Sequence, residues 1–285
     1  MQTSDAERAI TAATSVVSEL DLVVEDAVVL HDSNRLTLRL RPCDVLARVA
    51  HAGHRNAPFE IEIAQRLAET EGPVAALEPR VEPRVYTVDG FDVTLWTCEP
   101  QAPRTVSTGD YARALVRLHD GMRTLDVATP HYRDRVAEAL RTVERRDRSP
   151  ALEDADRALL GSTLRRQTRA IDDRAAVEQL LHGEPHPGNV LSTSKGPLFV
   201  DLETCCRGPI EFDLAHVPEA VSERYPNVDQ GVLSDCRGLV LALVSAWRWD
   251  RDDRLPNRQR AAHDLLRALR GGPPWPPLTT LMPPT

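Results

Sequence analysis

Lysine is almost missing from this chain: Lys195 is its single example among 285 residues, although lysine and arginine together number 35. A site that needs a fixed cation must therefore draw on arginine. Long apolar runs are missing too, and no stretch approaches the roughly 20 residues that cross a bilayer, so no membrane partner is expected. The first residues carry Asp5, Glu7, Arg8 and Glu19, which leaves no apolar core for a secretion signal. Cysteine is sparse and odd in number. Cys43, Cys98, Cys205, Cys206 and Cys236 lack the paired spacing of a metal site, which points to reduced thiols in a cytoplasm. A net charge of −8 offers no basic face to nucleic acid and suits a cationic partner. Internal repeats are absent. With 41% hydrophobic and 27% charged residues, the chain is an ordinary globular protein, long enough for one large domain or two lobes.

What is present is concentrated between residues 181 and 215. Pro185, Pro187 and Gly188 cannot sit inside a regular helix, so 182–189 is predicted to be a tight polar loop. This excludes a zinc-protease reading of His182 and His186, whose four-residue spacing needs a continuous helix. His182-Gly183-Glu184 also opens like a zinc deaminase signature, but Cys205 and Cys206 are adjacent and cannot complete it. Val190 and Leu191, a turn over 192–196 and the run Leu198-Phe199-Val200 predict a hairpin. Its return brings Asp201 towards Asn189, twelve positions earlier, and Glu184 belongs to the same loop. Hard oxygen ligands with little protein coordination suit magnesium that arrives on a polyphosphate. Singly, Asn189 and Asp201 are ordinary turn formers; together with Glu184 across one hairpin they point to a catalytic site.

These residues resemble the aminoglycoside phosphotransferase family, kinase-fold enzymes that phosphorylate hydroxyl groups of small molecules. The family pattern is His-Gly-Asp, a spacer containing His, Asn, a strand ending in Asp, and a downstream Gly-Pro and Asp-Leu-Ala. Here it stands as His182-Gly183-Glu184-Pro185-His186-Pro187-Gly188-Asn189, Val200-Asp201-Leu202-Glu203, Gly208-Pro209 and Asp213-Leu214-Ala215. The resemblance implies an α+β, two-lobed protein-kinase-like fold. A small β-rich nucleotide-binding N-lobe would occupy 1–99, a larger helical catalytic and acceptor-binding C-lobe 100–270, and a Pro-rich tail, extended or disordered, 271–285. It implies Glu184, His182, Asn189 and Asp201 as catalytic residues, with Glu184 in the base position, Asn189 and Asp201 on magnesium, and Asp213 bracing the loop. One departure matters, because the family base is usually Asp. Glutamate moves the carboxylate by about one carbon–carbon bond, ~1.5 Å.

Along the chain, Ser4 to Glu7 form a capping box for a first helix with Ala9, Ile10, Ala13, Val16, Val17 and Leu20 at helical spacing. Strands are predicted over 27–30 and 35–40. In a kinase-like fold the turn between them covers the nucleotide phosphates; it has no glycine, so Ser33 and Asn34 must serve, or the segment is only a hairpin turn. A third strand, 45–49, carries the expected phosphate-binding cation, which must be Arg48. In the helix over 58–71, steps of three and four from Glu60 reach Ile63, Ala64 and Leu67, whereas Glu62 shares a side with Gln65, Arg66 and Glu69. Glu60 therefore faces inward and needs a partner, and Arg48 is the natural one. The strand 93–98 would present backbone near Trp96 and Cys98 to the base, with Pro100 and Pro103 marking the connection that follows.

A helix from Thr108 ends at His119, and a lone His there is expected to be structural. Charge-rich helices are predicted over 133–145 and 152–180, then near 211–220, 234–249 and 257–270. Trp247 and Trp249 are expected to pack, and Glu219, Glu223 and Asp229 to form a solvated acidic face. The expected function is transfer of a phosphoryl group from ATP or GTP, with Mg2+, to a hydroxyl of a small molecule such as an aminoglycoside-like antibiotic or amino sugar. The expected assembly is a monomer or homodimer. The alternative is a pseudokinase that senses nucleotide or a small ligand.

Overall fold

The structure, a computed structural model, describes residues 3–32, 35–53, 56–100, 102 and 105–282. The chain divides into two compact units, Met1–Thr105 with Ser192–Glu203, and Val106–Leu191 with Thr204–Thr285.

The first unit is built on a sheet. Helix α1 (Thr3–Glu19) precedes β1 (Val24–Asp32), β2 (Leu36–Pro42) and β3 (Val45–His51); α2 (Asn56–Leu67), β4 (Tyr86–Val88) and β5 (Phe91–Thr97) follow. The strands pair antiparallel in the order β1-β2-β3-β5-β4. Alternation sorts their side chains: Leu36, Leu38 and Leu40 of β2 and Val45, Ala47 and Val49 of β3 bury with Ala9, Ala13, Val16 and Val17 of α1. Arg48 is one step out of phase, so it lies on the other face, in register with Thr37 and Thr94. Ser4 lies within the first turn of α1 and does not cap it, because the helix already begins at Thr3. β4 went unanticipated, since three residues are too few to show a period.

The second unit is mainly helical. It runs through α3 (Thr108–Arg123), α4 (Tyr132–Glu144), α5 (Asp154–Asp173), β6 (Glu178–Leu181) and the Pro-rich loop into the start of β7 (Val190–Thr193); the rest of β7 and its hairpin partner β8 (Gly196–Phe199) fall in the first unit. It resumes with β9 (Cys206–Pro209), α6 (Ile210–Leu214), α7 (Glu219–Ser222), α8 (Gln230–Trp249), α9 (Arg258–Gly271) and α10 (Leu278–Leu281). A β-rich unit and a larger helical one make the α+β architecture that the resemblance implied.

Four expectations about the extent of elements and lobes need correction. The helix predicted over 152–180 stops at Asp173; Ala175 takes a left-handed φ of 46°, and the chain then forms β6, antiparallel to β9 with Gln179 opposite Gly208. The span 211–220 splits into α6 and α7, with Pro218 as the N-cap of the latter, because proline cannot continue a helix interior. The tail is neither extended nor disordered through Met282. Trp275 is buried so tightly against α8 that a Cβ added to Gly238 would lie 2.7 Å from its indole nitrogen, and Leu278 opens α10. Residues 192–203, assigned from sequence to the C-lobe, cluster with the first unit. None of the five cysteines forms a disulfide, and Cys205 and Cys206 are buried. No described helix is long and apolar enough to cross a membrane.

Candidate active site

In the first unit, five charged side chains bond one another. Glu60 shares the buried face of α2 with Ile63, Ala64 and Leu67 and is 0% exposed, whereas Glu62 faces water. A carboxylate so placed must be compensated. Arg48 pairs with its Oε1, Arg35 Nη1 reaches Oε2 at 2.5 Å, and the Leu202 backbone N donates to Oε1 at 3.2 Å. Arg48 spans further, its Nη2 donating to Asp201 Oδ1 at 2.6 Å, while Arg35 Nη2 bonds Glu203. The pairing of Arg48 with Glu60 is the one that helical periodicity predicted. Arg35 and Glu203 were missed. Glu203 had a signal in its spacing, two residues after Asp201 in the same Asp-Leu-Glu run, whereas Arg35 looked like an ordinary strand residue.

The electrostatics of this cluster are uneven. Burial disfavours charge on Arg48, but Glu60 and Asp201 outweigh it and hold the guanidinium above its usual range. Burial and the negative charge of Asp201 push the Glu203 carboxyl up to about 7 despite Arg35. Two carboxylates so crowded suit a hard divalent cation, which would relieve their repulsion. Among the described residues no three His, Cys, Asp or Glu side chains gather to hold a metal. Trp96 is buried, its indole N–H donating to Thr94 Oγ1 at 2.9 Å; Thr97 N donates to Ala76 O at 2.9 Å, and Cys98 follows the end of β5, half-buried. Ser33, Asn34 and Pro103 lie outside the described residues.

In the second unit, the Pro-rich loop is held from behind by Asp213. This carboxylate is 0% exposed; Oδ2 accepts from His182 N at 2.9 Å and Oδ1 from Gly183 N at 2.8 Å. His119 Nε2 lies 3.0 Å from Oδ2, and its Nδ1 lies 2.8 Å from the Tyr225 hydroxyl. Burial alone would raise the Asp213 carboxyl, but His119 and these amides bring it below its usual range. His119 is thus structural, as expected, although α3 runs on past it to Arg123 and does not end there. His182, expected among the catalytic residues, is fully buried, with Nδ1 accepting from Glu184 N at 3.4 Å and its carbonyl accepting from Thr204 Oγ1 at 3.1 Å. It shapes the loop from inside. Gly183 is required here: its φ is 90°, and a Cβ would stand 2.0 Å from the Thr204 carbonyl oxygen.

Glu184 and Asn189 lie further along this loop. Asn189 Nδ2 donates to the Glu184 carbonyl at 3.0 Å, which ties the two positions together. The Glu184 side chain pairs with Arg135 of α4, a residue that sequence reasoning passed over as part of a charge-rich helix. Burial pushes the Glu184 carboxyl up, but the Arg135 guanidinium more than offsets this, and the group stays below its usual range. His216 is buried among these charges with no partner for either ring nitrogen, and burial lowers it to about 3, so it is neutral. Trp249 packs edge-on to His263; Trp247 lies under Arg135; Asp229 caps α8; Glu219 pairs with Arg237.

Residues 27–234 match the model of the phosphotransferase enzyme family. No curated protein matches the chain significantly by sequence. Among solved structures, the amicoumacin kinase hAmiN in complex with AMP-PNP, Ca2+ and Ami is similar at a TM-score of 0.69 and 12% identity, covering 99% of this chain and 100% of that one. The choline kinase LicA from Streptococcus pneumoniae is similar at 0.65 and 13% identity, covering 91% and 96%. A GDP and kanamycin complex of APH(2")-IIia is similar at 0.65 and 12% identity, covering 91% and 98%. At such identities the structures speak for the fold, while the family match spans most of the chain and includes both 182–189 and Asp201. The chain belongs to the phosphotransferase enzyme family.

Proposed function

We propose that the protein transfers the γ-phosphoryl group of ATP or GTP to a hydroxyl group of a small molecule. The observation that carries this reading is the loop fixed by Asp213, which presents Glu184 with one carboxylate oxygen committed to Arg135 and the other unbonded by any described residue. In the proposed step the acceptor hydroxyl oxygen bonds to the γ-phosphorus as the bond from that phosphorus to the β–γ bridging oxygen breaks. The nucleoside diphosphate leaves with the electron pair, and the hydroxyl proton passes to Glu184 or to solvent. Such a transfer depends mainly on position and charge neutralisation, so Glu184 need only orient the hydroxyl. Arg48, steadied by Glu60, is the proposed cation for the phosphate oxygens. Asn189 and Asp201 are the proposed ligands of magnesium, which would offset phosphate charge when bound.

The acceptor is proposed to be cationic. The net charge of −8 favours one, and the similar structures include proteins whose names point to kanamycin and choline. A panel of amino-bearing alcohols, offered with labelled ATP and with labelled GTP, tests the reading. One or more acceptors should be labelled by wild type, and Glu184→Gln should keep nucleotide affinity while losing roughly 10²- to 10⁴-fold in transfer. Equal transfer by Glu184→Gln removes the residue's role. Tight nucleotide binding with no labelled acceptor would favour the pseudokinase sensor.

A further inference from the structure

We propose that Arg135 is a positioning residue for Glu184: its guanidinium takes one carboxylate oxygen and ties it to the loop backbone, leaving the other oxygen to meet the acceptor hydroxyl. The inference rests on the phosphotransfer reading and deepens it.

The need arises from chain length. Glutamate extends ~1.5 Å beyond aspartate and adds a rotatable bond, so a position usually held by the shorter acid must acquire something that takes up the slack. Arg135 does this from α4, whose start is fixed by the capping box of His131 and Asp134 and whose side is held by Arg133 Nε on Asp172 at 3.0 Å. Arg135 Nη1 donates to Gly183 O at 3.0 Å, and Nη2 donates to Glu184 Oε1. Two donors of one planar group thus engage consecutive residues of the loop. Such a fork fixes a direction, which a point charge cannot do.

The guanidinium is itself held. It faces the Trp247 ring at 5.0 Å and the Phe212 ring at 5.9 Å, and its side chain is 14% exposed. Gly183, whose carbonyl it grips, has its own N–H bound to Asp213. Arg135 therefore references the carboxylate to the same backbone that Asp213 holds still. Glu184 keeps 23% of its side chain exposed, and Oε2 is bonded by no described residue. A merely stabilising ion pair would have no reason to leave one oxygen available, and buried pairs are weak sources of net stability in any case.

The test compares kcat and KM for phosphate transfer in wild type, Arg135→Lys, Arg135→Met, Glu184→Asp and the double Arg135→Met/Glu184→Asp, using an acceptor from the screen or, if none is found, water through ATP hydrolysis. Arg135→Met and Arg135→Lys should each lower kcat by about 10- to 100-fold, the cost of a small misplacement, with the nucleotide KM within about twofold. Because Asp falls short of Arg135, adding Arg135→Met to Glu184→Asp should cost less than about threefold more. Lysine keeps the charge, so Arg135→Lys carries the test if the Met variant folds poorly. Unchanged kcat in the Lys variant, or the same fractional loss on either acid, overturns the inference. A second readout needs no turnover: the Arg135 Nη–H proton resonances, slowed at low temperature, should move upfield in Glu184→Gln, and unmoved resonances mean the pair does not form in solution and overturn it equally. Wild type that binds nucleotide yet transfers to neither alcohol nor water sinks the phosphotransfer reading, and the positioning role with it. Active wild type with indifferent Arg135 variants sinks the positioning role alone.

Discussion

The two units fix their carboxylates in opposite ways. In the first, Glu60, Asp201 and Glu203 are bound by the guanidinium groups of Arg35 and Arg48, so each charge meets another charge. In the second, Asp213 is bound by two backbone N–H groups and a histidine, so a charge defines the course of the main chain. The first arrangement can rearrange when a phosphate or a metal ion arrives, because salt-bridge partners can be exchanged. The second cannot yield without unmaking the loop.

The largest effect should come from exchanging the two roles. Asp201→Asn should weaken magnesium-dependent ATP binding in calorimetry by about 10²-fold, the upper end of what a metal site loses with one supporting partner. Asp213→Asn should do the reverse, because its amide nitrogen would confront N–H donors: nucleotide affinity stays and transfer collapses. If both variants lose nucleotide alike, the division between the two clusters is wrong. Next in size, Arg48→Met and Glu60→Gln should weaken nucleotide binding non-additively, with a coupling of about 1–3 kcal/mol. Strict additivity would mean that their contact does not serve the nucleotide.

The smallest effect concerns pH and the second unit alone. His216, surrounded by Glu184, Arg135, Asp213 and His186, is lowered from 6.5 to about 3 by burial. Its folded value lies below its unfolded one, so the unfolded chain binds the extra proton between these limits. Stability is then full above about pH 6.5 and is lost progressively as pH falls towards 3. At pH 5 the loss amounts to about 2 kcal/mol, from 1.36 kcal/mol per unit. His216→Leu should remove that part of the acid sensitivity in urea titrations at pH 5 and pH 8; an unchanged difference between the two would show that His216 is not the titrating group.

Much of this was legible in the sequence, for local reasons. The inward turn of Glu60 follows from helical period, and the loop from its prolines and glycines. The choice of Arg48 follows from the near absence of lysine. What stayed hidden depends on contacts between distant segments. β6 is a strand only because β9 lies beside it, and nothing within 174–181 contains a proline or glycine to stop a helix there. Arg135 and Glu184 are 49 positions apart, and no periodicity of α4 reveals which of its arginines will meet the loop. Trp275 looked like part of a Pro-rich tail because its partner is a glycine on α8, and a glycine gives no sign that something will pack against it.

The arginine at the proposed phosphate position carries one more consequence, for chemical labelling. A nucleotide bearing an acylating group on its terminal phosphate captures an enzyme when a lysine amine beside the phosphates is transiently uncharged and attacks the reagent. Arg48 is held protonated by Glu60 and Asp201, and a guanidinium in that state is no nucleophile. The only lysine amine in the chain, on Lys195, stands exposed in the turn between β7 and β8. A survey that detects nucleotide sites through such acylation would pass over this protein at Arg48, however tightly it held the nucleotide.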